Sequence, residues 1–335
     1  MQELIHSNIA TDINIEILQS PRSSKDKCPA VILCHGFPET AYAWRHQLNA
    51  LADSGYRAIA MDMRGYGRTQ SPADVESYSL MHITGDIIKL MDALDIDKAV
   101  LVGNDWGSTV AWHSARLRPD RFSGIAAMGV PMMSRAPLPP TELFNMIEMP
   151  QDMQFYALYF QEPGLAEAEL EKNIRTSLMK IYYSASGSAR NPQENTGSVP
   201  NPFGMVSLSA GLLGPLPERM PEWLSDSDFE VFVNAFTHSG FRGGLNYYRN
   251  LDRNWQHEAA LEGLKIEIPA LYMVGERDTG YEIPGMKEII EYMPNLAPKL
   301  TDTLVFEGVG HWLQQERPGE VSKALCDFIR KTHPA

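Results

Sequence analysis

The chain has 335 residues, of which 44% are hydrophobic and 21% are charged. This composition is typical of a folded globular protein, and the apolar runs are shorter than the roughly 18 residues that a membrane span requires. The net charge of −13 opposes binding to nucleic acid phosphates and to anionic membranes. We therefore expect neither nucleic acid nor a membrane as a partner, and a neutral or cationic small molecule fits this charge better.

The N-terminus and the cysteines indicate the compartment. Residues 1–17 contain acids and alternate apolar with polar positions, so they lack the basic segment, apolar run and cleavage site of a signal peptide. Cys28, Cys34 and Cys326 are odd in number and have no metal-type spacing, which argues against a disulfide framework and a metal site. We therefore expect a cytoplasmic protein.

Short strands and helices alternate in the first part of the chain. Residues 12–18 alternate apolar with polar positions and predict an edge strand, and apolar runs predict buried strands at 29–34, 57–62, 99–103 and 122–129. A helix between them is predicted from apolar residues at helical spacing, namely Ile83, Ile87, Leu90, Met91 and Leu94. Such alternation is typical of an α/β protein with a mainly parallel sheet.

The pattern changes near residue 131 and changes back near the C-terminus. Helical segments are predicted near 141–148, 152–160 and 165–182, followed by a long loop at 184–217 that is rich in Ser, Gly, Asn and Pro. Strand patterns return at 269–275 and 303–307, before a final helix with an apolar stripe at Val321, Ala324, Leu325, Phe328 and Ile329. We predict a split α/β core, residues 1–131 and 246–335, with a helical cap domain at 132–245 over one end of its sheet.

The most specific chemical motif is Gly-Asn-Asp-Trp-Gly at 103–107, between a predicted strand and a predicted helix. It has the GxSxG spacing of a nucleophile elbow, with Asp105 in place of Ser, and its glycines suit a tight strand-to-helix turn. The alternative is that Asp105 caps the following helix. Attack by a carboxylate on an sp³ carbon would form an alkyl ester whose acyl carbon belongs to the enzyme, so water must then cleave that ester.

A base and an acid for that second step follow the last predicted strands. His311 comes shortly after the strand at 303–307. Proteins with a nucleophile elbow have their catalytic histidine late in the chain, after the nucleophile and the acid, so this position favours His311. The chain has eight other histidines that are candidates for the same role. Asp278 follows the strand at 269–275, so its carboxylate would lie at the same edge of the sheet as His311. Glu276 is its nearest rival.

The predicted donors to the tetrahedral oxyanion are backbone N–H groups. His-Gly-Phe-Pro at 35–38 follows the strand at 29–34, in the place from which this fold supplies one donor. We predict that the N–H groups of Phe37 and Trp106 form this oxyanion hole, with Trp106 also lining the pocket.

Seven separated segments make the chain similar to the epoxide hydrolases of the α/β-hydrolase fold. They are HGFPE at 35–39, DMRGYGRT at 62–69, GNDWG at 103–107, FQEPG at 160–164, NYYRN at 246–250, ERD at 276–278 and GHW at 310–312. The resemblance spans nearly the whole chain and implies a mostly parallel twisted sheet flanked by helices, with an inserted helical cap. The segment DMRGYGRT has no predicted chemistry, and its Gly and Arg residues suit a loop tied beside the site.

The resemblance also implies a pair of cap tyrosines that bind and protonate the epoxide oxygen. These are Tyr156, four residues before Phe160, and Tyr248, directly before Arg249. Ring opening leaves an alkoxide, and a phenol can hydrogen-bond the epoxide and then donate its proton as that charge develops. The choice of Tyr248 over Tyr247 depends on the resemblance, because spacing alone leaves both open.

We therefore expect an epoxide hydrolase that forms a vicinal diol through an ester on Asp105, which water activated by the His311–Asp278 pair hydrolyses. Phe37, Trp106, Tyr156 and Tyr248 are expected to contact the substrate. The expected partners are a small epoxide and water, without a metal or organic cofactor, and the chain would be a monomer or a homodimer.

Other classes remain as alternatives. A haloalkane dehalogenase uses the same Asp and His, but it needs side-chain N–H groups that bind the departing halide. Trp106 could supply one of these donors. The second donor is usually an Asn, and Phe37 occupies its position here. A homologue that binds ligands without catalysis would lack a catalytic residue, and none is missing here. A serine esterase is excluded because the elbow holds Asp105 and Ser108 lies outside its frame.

Overall fold

Strands and helices alternate in the first half of the computed structural model, which describes residues 4–21, 30–148, 151–189, 205–208, 211 and 216–333. The strands are β1 (Ile5–Ala10), β2 (Asn14–Gln19), β3 (Ala30–Cys34), β4 (Arg57–Met61), β5 (Ala99–Asn104) and β6 (Phe122–Met128). The helices are α1 (Arg45–Asp53), α2 (Leu80–Ala93) and α3 (Trp106–Leu117). The predicted buried strands are thus confirmed within one or two residues at their ends.

A long segment is inserted after β6. It contains α4 (Pro140–Asn145), β7 (Met153–Phe155), α5 (Tyr156–Tyr159), α6 (Leu165–Leu170), α7 (Ile174–Ser184), β8 (Met205–Ser207), α8 (Asp226–Ser239), α9 (Arg242–Arg249) and α10 (Leu251–Glu258). We call residues 132–245 the cap segment, and the predicted boundary at 245/246 falls inside α9. No helix in the described ranges is long and apolar enough to cross a membrane.

Two predictions for the cap segment were wrong in part. Residues 153–155, predicted as helix, form β7, which pairs antiparallel with β8 inside the predicted loop at 184–217. The local sequence pattern predicted a helix in one segment and a loop in the other. The backbone N–H and C=O groups of the two segments instead form hydrogen bonds with each other. Residues 190–204, 209–210 and 212–215 of that predicted loop lie outside the described residues.

The chain then completes the sheet with β9 (Ala270–Gly275), α11 (Met286–Leu296), β10 (Leu300–Phe306), α12 (Leu313–Glu316) and α13 (Pro318–Thr332). The strand order is β1-β2-β4-β3-β5-β6-β9-β10, in which β1–β2 and β2–β4 pair antiparallel and the other neighbours pair parallel. The strand predicted at 12–18 is confirmed as β2, which begins at Asn14 because residues 11–13 turn the chain. Its predicted place at the edge was wrong, because β1 covers the outer edge of β2.

Helices bury both faces of the sheet. Alternate residues of β3 point to opposite sides, so that Ile32 and Cys34 belong to one hydrophobic cluster and Val31 and Leu33 to another. The stripe predicted on the last helix is confirmed, since Leu325 and the other large residues of the stripe are buried in the second cluster. This two-sided burial explains why the central strands are continuous apolar runs.

Polar contacts join the cap segment to the core beside the carboxyl ends of the strands. The Tyr182 hydroxyl donates to the Pro38 carbonyl over 2.7 Å. On α8, Asp228 accepts a 2.8 Å hydrogen bond from the Tyr42 hydroxyl and lies 3.4 Å from Nε of the buried Arg45. The cap segment therefore lies over the end of the sheet where β3 and β5 finish.

Candidate active site

Asp105 occupies a sharp turn between β5 and α3. Its φ of +55° and ψ of −118° lie outside the regions that L-residues usually adopt. α3 comes so close to β5 that a Cβ at Gly103 would lie 2.0 Å from the Gly107 carbonyl oxygen. It also comes so close to the end of β3 that a Cβ at Gly107 would lie 2.1 Å from the Cys34 carbonyl oxygen. The two glycines are therefore required for the turn that presents Asp105.

The loop after β3 meets Asp105 because β3 and β5 are parallel neighbours. The Phe37 N–H donates to Asp105 Oδ1 over 2.8 Å. A Cβ at Gly36 would lie 2.3 Å from Asp105 Cβ, so glycine allows this approach. Trp106 begins α3, which leaves its N–H without a partner inside the helix. Of the two predicted oxyanion donors, the Phe37 N–H thus contacts the Asp105 carboxylate, and the Trp106 N–H belongs to the next residue in the chain.

His311 lies between two carboxylates. Its Nδ1 is 2.8 Å from Asp278 Oδ2, and its Nε2 is 3.6 Å from Asp105 Oδ2. Burial lowers the pKa of His311, but the charges of Asp278 and Asp105 and the hydrogen bond to Asp278 outweigh burial and hold this pKa well above its ordinary value. The His311 N–H of the backbone donates to the Ala185 carbonyl, which fixes the loop against the cap segment.

Asp278 is the acid that meets His311, and Glu276 is not. Asp278 is buried, and its second oxygen accepts a 2.7 Å hydrogen bond from the Gly280 N–H. Glu276 is exposed and accepts from the Gly308 N–H instead. Asp105, His311 and Asp278 therefore form a connected triad across loops that follow β5, β10 and β9.

The two predicted cap tyrosines lie together above this triad. The rings of Tyr156 and Tyr248 are 5.6 Å apart, and Tyr248 also packs edge-on against Trp106 at 5.1 Å and Phe37 at 5.6 Å. Burial raises the pKa of both phenols, and the charge of Asp105 raises it further. Both hydroxyls therefore stay protonated at neutral pH and can act as donors.

Tyr247 points elsewhere. Its hydroxyl donates to the Arg64 carbonyl over 3.1 Å, and its ring packs against Tyr66 and Tyr78. Adjacent residues on a helix point in directions about 100° apart, so only one of the two can face Asp105. Geometry thus separates Tyr248 from Tyr247, which spacing alone could not do.

Glu39 is a residue of the site that sequence reasoning missed. Its buried carboxylate accepts hydrogen bonds from the side-chain amides of Gln314 and Gln315 at 2.7 to 3.0 Å. Burial raises its pKa to about 7, although the charge of His311 and the hydrogen bond from Gln315 oppose this rise. The available signal was an acid two residues after Phe37, in the loop that was already predicted to reach the nucleophile.

The mostly parallel sheet, the elbow at Asp105 and the His311–Asp278 pair at the carboxyl ends of the strands have the arrangement of the α/β-hydrolase fold. A family model of the alpha/beta hydrolase fold matches residues 29–176.

The curated relatives narrow this class. "Epoxide hydrolase A" of Mycobacterium tuberculosis is 38% identical over 95% of each chain, and "Epoxide hydrolase 1" of Siraitia grosvenorii is 37% identical over 99% of this chain and 100% of that one. Among solved structures, an epoxide hydrolase from an endophytic Streptomyces has a TM-score of 0.88 at 38% identity, covering 98% of this chain and 96% of that chain. Epoxide hydrolase A from Mycobacterium thermoresistibile has a TM-score of 0.85 at 36% identity, covering 98% of both chains. The chain belongs to the epoxide hydrolases and is a hydrolytic enzyme.

Proposed function

We propose that this protein converts an epoxide into a vicinal diol through a covalent ester on Asp105. The observation that carries the proposal is the tyrosine pair, with rings 5.6 Å apart, whose pKa values both respond to the charge of Asp105. A carboxylate nucleophile below two buried phenols suits an oxygen leaving group that needs a proton. The names of the relatives support the same substrate class.

Ring opening uses Asp105, Tyr156 and Tyr248. Asp105 Oδ1 is held by the Phe37 N–H, so Oδ2 is the oxygen that attacks one epoxide carbon. The C–O bond of the ring breaks as the ester bond forms, and a phenol hydrogen-bonds the departing oxygen and gives it a proton. The products of this step are a hydroxyalkyl ester and a tyrosinate.

Hydrolysis of the ester uses His311. Once Asp105 is esterified, one of the two charges that raise the pKa of His311 is gone, so the imidazole loses its proton more readily and becomes a base. It takes a proton from water, and the resulting hydroxide attacks the carbonyl carbon of Asp105. The Phe37 and Trp106 N–H groups stabilise the oxyanion. Its collapse breaks the bond between the acyl carbon and the alkyl oxygen, which takes the proton of the added hydroxyl, so that the diol leaves and the Asp105 carboxylate is restored. The proton taken up by His311 then returns to the tyrosinate by exchange with solvent.

Two variants distinguish ring opening from hydrolysis of the ester. In His311→Gln, ring opening continues without a base for hydrolysis, so the protein accumulates an adduct heavier by the mass of one epoxide. In Asp105→Ala, no adduct forms. Intact-mass spectrometry after addition of styrene oxide measures both, and an unmodified His311→Gln protein beside an active Asp105→Ala protein would refute the mechanism.

A dehalogenase is the alternative that shares the nucleophile. The Trp106 ring packs edge-on against Tyr248 at 5.1 Å, and Phe37 supplies no side-chain N–H for a halide. Turnover of styrene oxide beside 1-bromobutane in one assay distinguishes the two reactions. We expect diol without bromide, and bromide without diol would contradict the assignment of the tyrosines.

A further inference from the structure

The first turn of α9 lies directly against the loop at 62–69, with no side chain between the two backbones. A Cβ at Gly243 would lie 2.2 Å from the Gly65 carbonyl oxygen and 2.6 Å from Gly65 Cα, and a Cβ at Gly65 would lie 2.7 Å from Gly243 Cα. Cβ atoms in proteins essentially never approach other atoms within 3.0 Å. Both positions therefore need glycine, because rotation of a side chain cannot relieve a contact with backbone.

The loop at 62–69 is itself firmly held. Arg64 makes two hydrogen bonds to Asp86 of α2, at 2.8 and 2.5 Å, and both residues are buried. Asp62 accepts from the Ala41 N–H and from the Arg68 N–H, and its carbonyl accepts from a threonine hydroxyl of the same loop. The loop is therefore a rigid surface against which α9 packs.

Polar contacts fasten α9 and α10 along the following residues. The Tyr247 hydroxyl donates to the Arg64 carbonyl over 3.1 Å, and the Asn250 side-chain amide donates to the Val75 carbonyl over 2.6 Å. One turn further on, Asn254 Oδ1 accepts from a backbone N–H at the start of α2 over 2.9 Å. The helix that carries Tyr248 is thus attached to the core along segment 64–80, whereas Tyr156 belongs to α5 in the cap segment.

We propose that Gly243 and Gly65 are positioning residues that set the height of Tyr248 above Asp105, an inference that rests on the proposed function. A methyl group at Gly243 would need about 1 Å of movement to change a 2.2 Å contact into an ordinary one of 3.4 Å. Because α9 is short, this shift is carried to Tyr248, five residues further along. Glycine disfavours helix relative to alanine, so its presence in this first turn is explained by the close approach that it allows.

Single-turnover kinetics test the inference, because they give separate rate constants for ester formation and ester hydrolysis. Gly243→Ala should slow ester formation about 100-fold, the size expected for a 1 Å misplacement of a reacting group. Hydrolysis should keep its rate, because His311 and Asp278 belong to loops after β10 and β9. The matched control is Gly85→Ala in α2, where a Cβ would have nothing within 4 Å, and both of its rates should stay unchanged.

A double-mutant comparison identifies Tyr248 as the residue through which Gly243 acts. In a Tyr248→Phe background, Gly243→Ala should slow ester formation little further, since the hydroxyl that Gly243 positions is already absent. Equal slowing in both backgrounds, or equal slowing of formation and hydrolysis, would overturn the inference. A normal rate of ester formation in Tyr248→Phe alone would instead overturn the proposed function of that tyrosine.

Tyr247→Phe provides the test if Gly243→Ala does not fold, as judged by thermal melting. This change removes the hydrogen bond from α9 to the Arg64 carbonyl without adding an atom. We expect ester formation to slow by up to about tenfold, the equivalent of one hydrogen bond, with no effect on hydrolysis or in the Tyr248→Phe background. An unchanged rate of ester formation would overturn the inference.

Discussion

Glu39 makes the stability of the protein depend on pH with a predictable sign. Burial raises the pKa of its carboxyl from an ordinary 4.5 to about 7. Between these values the folded protein binds more protons than the unfolded chain, so the free energy of unfolding falls as pH rises through this window. The difference of 7 − 4.5 = 2.5 units, at about 1.36 kcal/mol per unit, amounts to about 3 kcal/mol.

Glu39→Gln removes this titration and leaves a neutral group of the same shape. Gln314 Oε1 has no hydrogen-bond partner in the described part of the chain, so a rotated Gln314 amide can accept from the new side chain. Urea unfolding of both proteins at pH 5 and pH 8 measures the effect. We expect the variant to gain about 2.5 kcal/mol relative to the wild type between the two pH values, less than the full difference because a carboxyl of pKa 4.5 in the unfolded chain is already mostly ionised at pH 5.

The comparison across pH cancels any constant effect of the substitution on packing. Glu288→Gln on α11 is the matched control, because Glu288 is exposed and its carboxyl stays hydrated when the chain unfolds. A stability difference between wild type and Glu39→Gln that is the same at pH 5 and pH 8 would refute the reasoning.

Two further substitutions test the triad and the loop beside it. Asp278→Asn should slow ester hydrolysis by about 10⁴-fold, because the amide no longer holds His311 in the correct tautomer; stopped-flow detection of a persistent ester checks this, and rapid hydrolysis would contradict it. Asp86→Asn leaves Arg64 buried without its counter-charge and should lower the free energy of unfolding by about 3 to 5 kcal/mol, measured in urea. A loss below about 1 kcal/mol would show that the charge of Asp86 contributes little.

Local sequence patterns predicted the parts of the molecule that depend on local rules. Buried parallel strands are continuous apolar runs, and the turn that carries Asp105 needs small residues at fixed offsets, so both were visible in the sequence. His311 and Asp278 followed, because parallel strands bring the loops at their carboxyl ends to one edge of the sheet. The order of the motifs was therefore enough to predict that three distant residues meet.

Contacts between distant, non-periodic segments were not predictable in this way. β7 and β8 have three residues each, too few to show a period, and they form because they pair with each other. Glu39 becomes part of the site through Gln314 and Gln315, 275 and 276 residues later in the chain. Amide side chains carry no pattern in the sequence that identifies such a partner.

In the elbow, the side chain that we propose as the nucleophile is separate from the atoms that are tightly packed. The close contacts there belong to the backbones around Gly103 and Gly107, whereas the Asp105 carboxylate projects beyond them to the Phe37 N–H and the His311 ring. A different side chain at this position would alter the proposed reaction while the surrounding backbone kept its packing, provided that the residue tolerates a φ of +55°. In evolutionary terms, the residue at position 105 can change without a prior change in the packing that stabilises the turn.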